Sequence, residues 1–238
     1  MQLEPHPAAV PTDPPAAPDD PATVAAQDWA AFEQISEITN HWLRPGWKPG
    51  TRAYYWLLTT PTNAFGDQIP QLQAVISHLL YAPIPDGGIH LTLGRIGDTE
   101  ATSLRAVHEL LGAIRAGMPA AFDLTAIPIT TSRGAVRYSI APWTPLLALH
   151  AHLALHAHLA QATAGAGLGP MKSTSHLRPH AGVAYSFRRW PAADVRTVLA
   201  PLRKLPPSTL HVTKVDLVMM RREADAYRWD TVEEAPLA

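Results

Sequence analysis

No cysteine occurs in the 238 residues, which excludes disulfides, thiolate metal sites and a cysteine nucleophile. Charged side chains are scarce, at 16%, and nearly balanced, with a formal net charge of -1. That balance argues against a protein that grips long duplex through many phosphate contacts, and leaves a small or short anionic ligand open. No stretch reaches the ~18 uninterrupted apolar residues of a membrane span. The opening Met-Gln-Leu-Glu-Pro-His-Pro has no basic region followed by an apolar run. A cytoplasmic chain with no membrane contact and no disulfide partner is expected.

Hydrophobic residues make up 47% of the chain, enough for a sizeable core. They are unevenly spread. Residues 1–26 hold seven prolines and seven alanines with almost nothing large and apolar, so a disordered tail is expected there. Residues 27–238 are expected to form a single domain.

From Asp28, a candidate helix cap, Trp29, Phe32, Ile35 and Ile38 recur at helical spacing. A turn through Pro45-Gly46 and Pro49-Gly50 leads to a buried strand over residues 54–60, and a helix follows over 66–81. Next come a strand over 88–96, a helix over 99–116 and a hairpin with strands at 122–130 and 135–141. A long helix spans 145–162, and a glycine-rich loop leads to a strand over 180–186. The chain closes with a helix over 191–204 and two strands over 210–221 and 226–232. The order suggests a duplicated α/β unit with one histidine-bearing strand in each half.

Side chains alternate along a strand, so His90 and Thr92 share a face, as do His180, Gly182, Ala184 and Ser186. Two imidazoles suit phosphodiester cleavage. One, neutral, takes a proton from the attacking oxygen; the other, as imidazolium, gives one to the leaving oxygen. Their ordinary pKa near 6.5 lets both forms coexist at neutral pH. A hydroxyl two residues on, such as Thr92, would hold a non-bridging phosphate oxygen. A lone His-x-Thr-apolar match is weak, because twelve histidines make about one such match a chance event. A half-buried strand histidine remains the plainer reading of His90 by itself.

Further residues carry the pattern beyond chance. They are His41-Trp42-Leu43-Arg44-Pro45-Gly46-Trp47-Lys48-Pro49-Gly50, the strand Tyr54-Tyr55-Trp56-Leu57-Leu58-Thr59, the motif His90-Leu91-Thr92-Leu93, the stretch Arg178-Pro179-His180-Ala181-Gly182-Val183-Ala184-Tyr185-Ser186, and an ending with Tyr227-Arg228-Trp229. On these residues the chain, over about 41–235, resembles the two-histidine phosphoesterase superfamily, in particular the actinobacterial proteins described as the 2'-5' RNA ligase family. The resemblance implies an α+β, bilobal fold of two pseudo-symmetric antiparallel sheets flanked by helices, with the active-site cleft between the lobes. It implies a hydrolase that opens 2',3'-cyclic phosphates or 2'-5' linkages, or joins RNA halves in reverse, with no cofactor. His90 and His180 would be the acid/base pair and Thr92 a phosphate ligand.

The second motif departs from the family at Gly182, where Thr or Ser is usual. Ser186 lies about 13 Å further along a regular strand, at 3.3 Å per residue. A backbone N–H or water would have to serve, glycine permitting close approach. The loss keeps a second class open, a nucleotide- or RNA-binding module without turnover. Trp56 is a candidate for stacking on a base, with core packing as the alternative. Trp47 and Lys48 could rim the site. Arg178 and Lys172 are candidates for phosphate contact from a loop able to close over substrate. His152 and His156 stand one helical turn apart, a spacing that can chelate zinc; without a glutamate after His152 the protease pattern fails, and no metal is expected. The expected partner is a small nucleotide or RNA end, bound by a monomer.

Overall fold

The computed structural model describes residues 2–43, 47–79, 81–85, 87–164 and 167–238. Residues 44–46 of the opening turn, Leu80, Asp86, and residues 165 and 166 of the glycine-rich loop lie outside the described residues. Among the described residues five α-helices and eleven strands follow in chain order: α1 (Pro21–Glu33), β1 (Glu37–Ile38), β2 (Arg52–Thr59), α2 (Gln68–Ile76), β3 (Tyr81–Pro83), β4 (His90–Asp98), α3 (Leu104–Ile114), β5 (Phe122–Thr131), β6 (Ala135–Ala141), α4 (Thr144–Ala164), β7 (His180–Ser186), β8 (Trp190–Pro191), α5 (Ala192–Leu199), β9 (Ser208–Val212), β10 (Lys214–Arg222) and β11 (Tyr227–Pro236). No helix among the described residues is long and apolar enough to cross a membrane.

Local chemistry explains most boundaries. Asp20 caps α1 by accepting from the Thr23 N–H, with Pro21 at the first helical position. Ser103 caps α3, whose Val107, Leu110, Leu111 and Ile114 form one buried stripe. The β5–β6 hairpin closes through Ser132 N–H to the Ala135 carbonyl.

Three features differ from expectation. Composition predicts disorder for residues 1–26, yet Pro21 onward is helix, and the stretch before it is bonded to the domain. The Glu4 and Thr12 carbonyls accept from Arg178, and the Val10 carbonyl accepts from Arg137. Asp28 is no cap: it is buried in mid-helix, paired with Arg137 and accepting from the Ser139 hydroxyl. The predicted strand over 210–221 is in fact two. The chain leaves β9 at Thr213 and enters β10 in a different sheet.

Every pairing is antiparallel. One sheet has the order β11-β10-β2-β4, the other β3-β7-β6-β5-β9, and β1 pairs with β8. In the first sheet Trp56, Leu58, Leu91 and Leu217 join one core with Val107, Leu110, Leu149 and Leu153 from α3 and α4. The opposite face carries Leu57, Val218 and Met220 under Trp47, Tyr55, Tyr227 and Trp229. In the second sheet α1 packs on β5 and β6. From the other side Gln68 of α2 accepts from the Tyr138 hydroxyl.

Candidate active site

β4 is an edge of the first sheet and β7 lies second in the other, and stretches of the two approach within 8 Å Cα to Cα. Each strand opens on its histidine. In each case the imidazole Nδ1 lies 2.8 Å from the carbonyl two residues upstream, Gly88 for His90 and Arg178 for His180. A carbonyl only accepts, so Nδ1 carries the proton and Nε2 is the basic nitrogen of each neutral ring.

Their surroundings differ. His90 is 8% exposed, and burial holds its pKa below the ordinary histidine value, against a smaller opposing effect of the Gly88 hydrogen bond. Its ring meets Trp229 edge-on, centroids 5.0 Å apart. His180 is exposed.

The Trp229 contact comes from sheet curvature. His90 pairs with Thr59 at one end of the first sheet, while Trp229 pairs with Met220 toward the other end of the far edge strand. Such diagonal corners meet only in a strongly coiled sheet. Bulges at Tyr54/Tyr55, Trp56/Leu57 and Leu217/Val218 add to the natural right-handed twist. The β10–β11 tip thereby joins Ile84, Gly88, His90 and Tyr185 around one pocket, with Asp225 and Tyr227. The space left in it is about that of a single water molecule.

Thr92 pairs with Leu57, two residues from the Thr59–His90 pair, so it shares the His90 face, and it is exposed. Trp56 pairs with Gly94 on the reverse face and is fully buried in the core, which overturns the stacking role expected of it. Arg178 is likewise not turned to a ligand. Its guanidinium donates to the Ser175, Leu177, Glu4 and Thr12 carbonyls. Trp47 packs against Tyr55 and Tyr227, next to the aromatic cover rather than in the pocket.

The second motif departs from regular alternation. Along β6, Ser139, Arg137 and Ala135 share a face, and they pair with His180, Gly182 and Tyr185. Val183 is the bulged extra residue. Ala184 and Ser186 therefore do not share the His180 face as expected, and Tyr185 does. Sequence reading also missed His41. It is 6% exposed, stacks on Tyr185 at 4.0 Å, and its Nε2 lies 2.8 Å from the Tyr227 hydroxyl. His41 heads one of the stretches that carry the family resemblance, but nothing in its local pattern gives it a role.

On α4, His152 Nε2 donates to the Ile114 carbonyl at 2.7 Å, and its ring lies 4.6 Å from that of His156. Among the described residues no group of three or more His, Asp or Glu side chains could hold a metal ion.

No protein-family model and no curated protein sequence matches the chain. Solved structures do match. The chain is similar to the TT0787 protein of Thermus thermophilus, with TM-score 0.57, 15% identity, and 78% of this chain and 97% of that one covered. It is similar to E. coli LigT complexed with phosphate, with TM-score 0.54, 15% identity, and 79% and 99% covered. A structure described as a phosphoesterase gives TM-score 0.52, 15% identity, and 80% and 99% covered. The fold is that of the two-histidine phosphoesterases. The likeness takes in nearly the whole of each neighbour, and about a fifth of this chain lies outside it. In this phosphoesterase fold β4 and β7, the strands that open on His90 and His180, approach each other from separate sheets.

Proposed function

We propose that the protein is a metal-independent phosphodiesterase acting on 2',3'-cyclic phosphates or 2'-5' linkages of nucleotides or RNA ends, with His90 and His180 as its acid/base pair. The observation that carries this reading is the matched pair of Nδ1 anchors on adjacent strands from separate sheets. Both basic nitrogens are thereby fixed as Nε2, the arrangement two-histidine proton transfer needs. The ligands of E. coli LigT, among them phosphate, 3'-AMP, ATP and NADP+, support a small phosphorylated nucleotide as the bound species.

Burial supports a division of roles. His90, its pKa held down, is neutral at pH 7 and takes the proton of the attacking water as the new O–P bond forms. His180 is the acid of this reading and gives a proton to the departing ribose oxygen as the old P–O bond breaks. Exchange with water resets both rings. Thr92, exposed on the His90 face, donates to a non-bridging oxygen.

The test is turnover of 2',3'-cyclic nucleotides and 2'-5' dinucleotides by the wild type, His90→Ala and His180→Ala, with and without EDTA. Activity that survives chelation and vanishes in both variants is expected. Activity unchanged in either variant overturns the assignment. The glycine at 182 favours a second reading, a nucleotide-binding module, which predicts binding of 3'-AMP without turnover.

A further inference from the structure

Gly182 stands in β7 where Thr92 stands in β4, so the second histidine strand has no hydroxyl two residues on. The space beside Gly182 is not empty. A Cβ built there would lie 3.0 Å from Ile84 Cδ1, 3.5 Å from the Tyr185 hydroxyl oxygen and 3.7 Å from Tyr185 Cε1. Regular alternation would send Tyr185 to the far face. The bulge at Val183 returns it to the face of His180 and Gly182, and its phenol leans over the glycine. Tyr185 also lines the pocket that holds His90.

The ring is firmly placed. It stacks on His41 at 4.0 Å and meets Trp42 at 5.2 Å and Tyr227 at 5.4 Å, edge to face. A phenol with its ordinary pKa near 10 is neutral at pH 7 and can donate its O–H to an anion. We infer that Tyr185 supplies the phosphate-binding hydroxyl missing at position 182, donating to a non-bridging oxygen of the phosphate held between His90 and His180. Gly182 and Tyr185 then form one device. The absent side chain makes room for the phenol, and the bulge aims it. The inference rests on the phosphodiesterase reading for its place in turnover, and on phosphate binding alone for its core.

Tyr185→Phe removes the oxygen and keeps the ring, so a purely structural tyrosine would tolerate it. With 2',3'-cyclic nucleotides, kcat/KM should fall about 10- to 100-fold at unchanged Tm, as for loss of one charge-assisted hydrogen bond. Adding Gly182→Ser to that variant should recover part of the loss, because Ile84 Cδ1 is the free end of a side chain and can shift. Calorimetric titration with inorganic phosphate and with 3'-AMP needs no turnover, and Tyr185→Phe should weaken both. Equal phosphate affinity in the two proteins, or equal kcat/KM, overturns the role of Tyr185 and leaves the histidine assignment standing. A wild type that binds phosphate without turnover overturns the phosphodiesterase reading, while the affinity difference still decides for or against Tyr185. A wild type that binds neither probe overturns both.

Discussion

His90 and His180 are held by one local device, an Nδ1–H donated to the carbonyl two residues upstream, yet one ring is buried against Trp229 and the other stands in solvent. Choice of tautomer is thus a property of the strand entrance, the same in both sheets. What folds over the ring is a property of the tertiary structure: it buries His90 and lowers its pKa, and it leaves His180 exposed. The strands are also backed differently. Beside β7, on the face shared with His180, lies a buried ion pair between β6 and α1, and behind β4 lies a buried histidine of α4.

The strongest challenge to this pairing is deletion of either imidazole. Alanine at position 90 or at position 180 should cost about 10²- to 10⁴-fold in kcat/KM on a 2',3'-cyclic nucleotide. Because the two act on one proton-transfer cycle, the double variant should be little worse than the poorer single one. Losses that multiply would mean the histidines act independently, and the comparison would fail.

Support of the His180 strand is tested at Asp28. Arg137 and Ser139, the cross-strand partners of Gly182 and His180, are both buried and both bonded to the Asp28 carboxylate. Asp28→Ala leaves a guanidinium 3% exposed with only the Val10 carbonyl as a remaining partner among the described residues. Removing one member of a buried pair costs about 3–5 kcal/mol. Urea unfolding should show that loss, and a change under about 1 kcal/mol would mean water replaces the carboxylate.

These residues also mark what the sequence could and could not show. The histidine strands, α2 to α4 and the β5–β6 hairpin follow from hydrophobic period and turn chemistry, which are local. Asp28 looked like a cap because its partners, Arg137 and Ser139, lie more than a hundred residues away. Residues 1–26 looked disordered because composition reports how much apolar area a segment can bury. It does not report that Arg178 and Arg137 need backbone carbonyls, which that segment supplies. The sequence singles out Trp56 for stacking and gives Trp229 no role. Alternation assigns the first to a face, but only the register says which face is core, and only the coiling of the sheet carries the second to His90. The Val183 bulge, which brings Tyr185 to the site, is announced only by the adjacent Gly182, an isolated glycine in a strand pattern.

Support of the His90 strand is tested by pH. His150 is 1% exposed, with Nδ1 2.8 Å from the Thr174 hydroxyl, and it also meets the backbone of Leu93, the bulged residue of β4. Burial pushes its pKa down to about 4. The unfolded chain binds this proton near pH 6.5 and the fold resists it, so the stabilising effect is complete above about 6.5 and fades as pH falls toward 4. Between pH 7 and pH 5 the loss should be about 2 kcal/mol, from about 1.5 units at 1.36 kcal/mol each. Denaturation of His150→Gln at the two pH values should show a correspondingly flatter dependence. An unchanged slope would assign the acid sensitivity to another group.

The finest test acts on the difference between the two rings. Trp229 packs against the buried His90, whereas His180 is already exposed, so Trp229→Ala should change water access mainly at His90. Burial is the main cause of the lowered pKa of His90, and opening the site should raise it toward its ordinary value. A base with a higher pKa loses its proton later as pH rises. The acidic limb of the pH dependence of kcat/KM should therefore move to higher pH, while the alkaline limb, set by the acid, stays in place. Imidazole proton titrations followed by NMR give the same answer without turnover, with the His90 resonance shifting its midpoint upward and that of His180 unmoved. Equal shifts in both rings would mean that Trp229 organises the whole cleft, and the contrast between a covered base and a solvated acid would then belong to the aromatic cluster rather than to the strands.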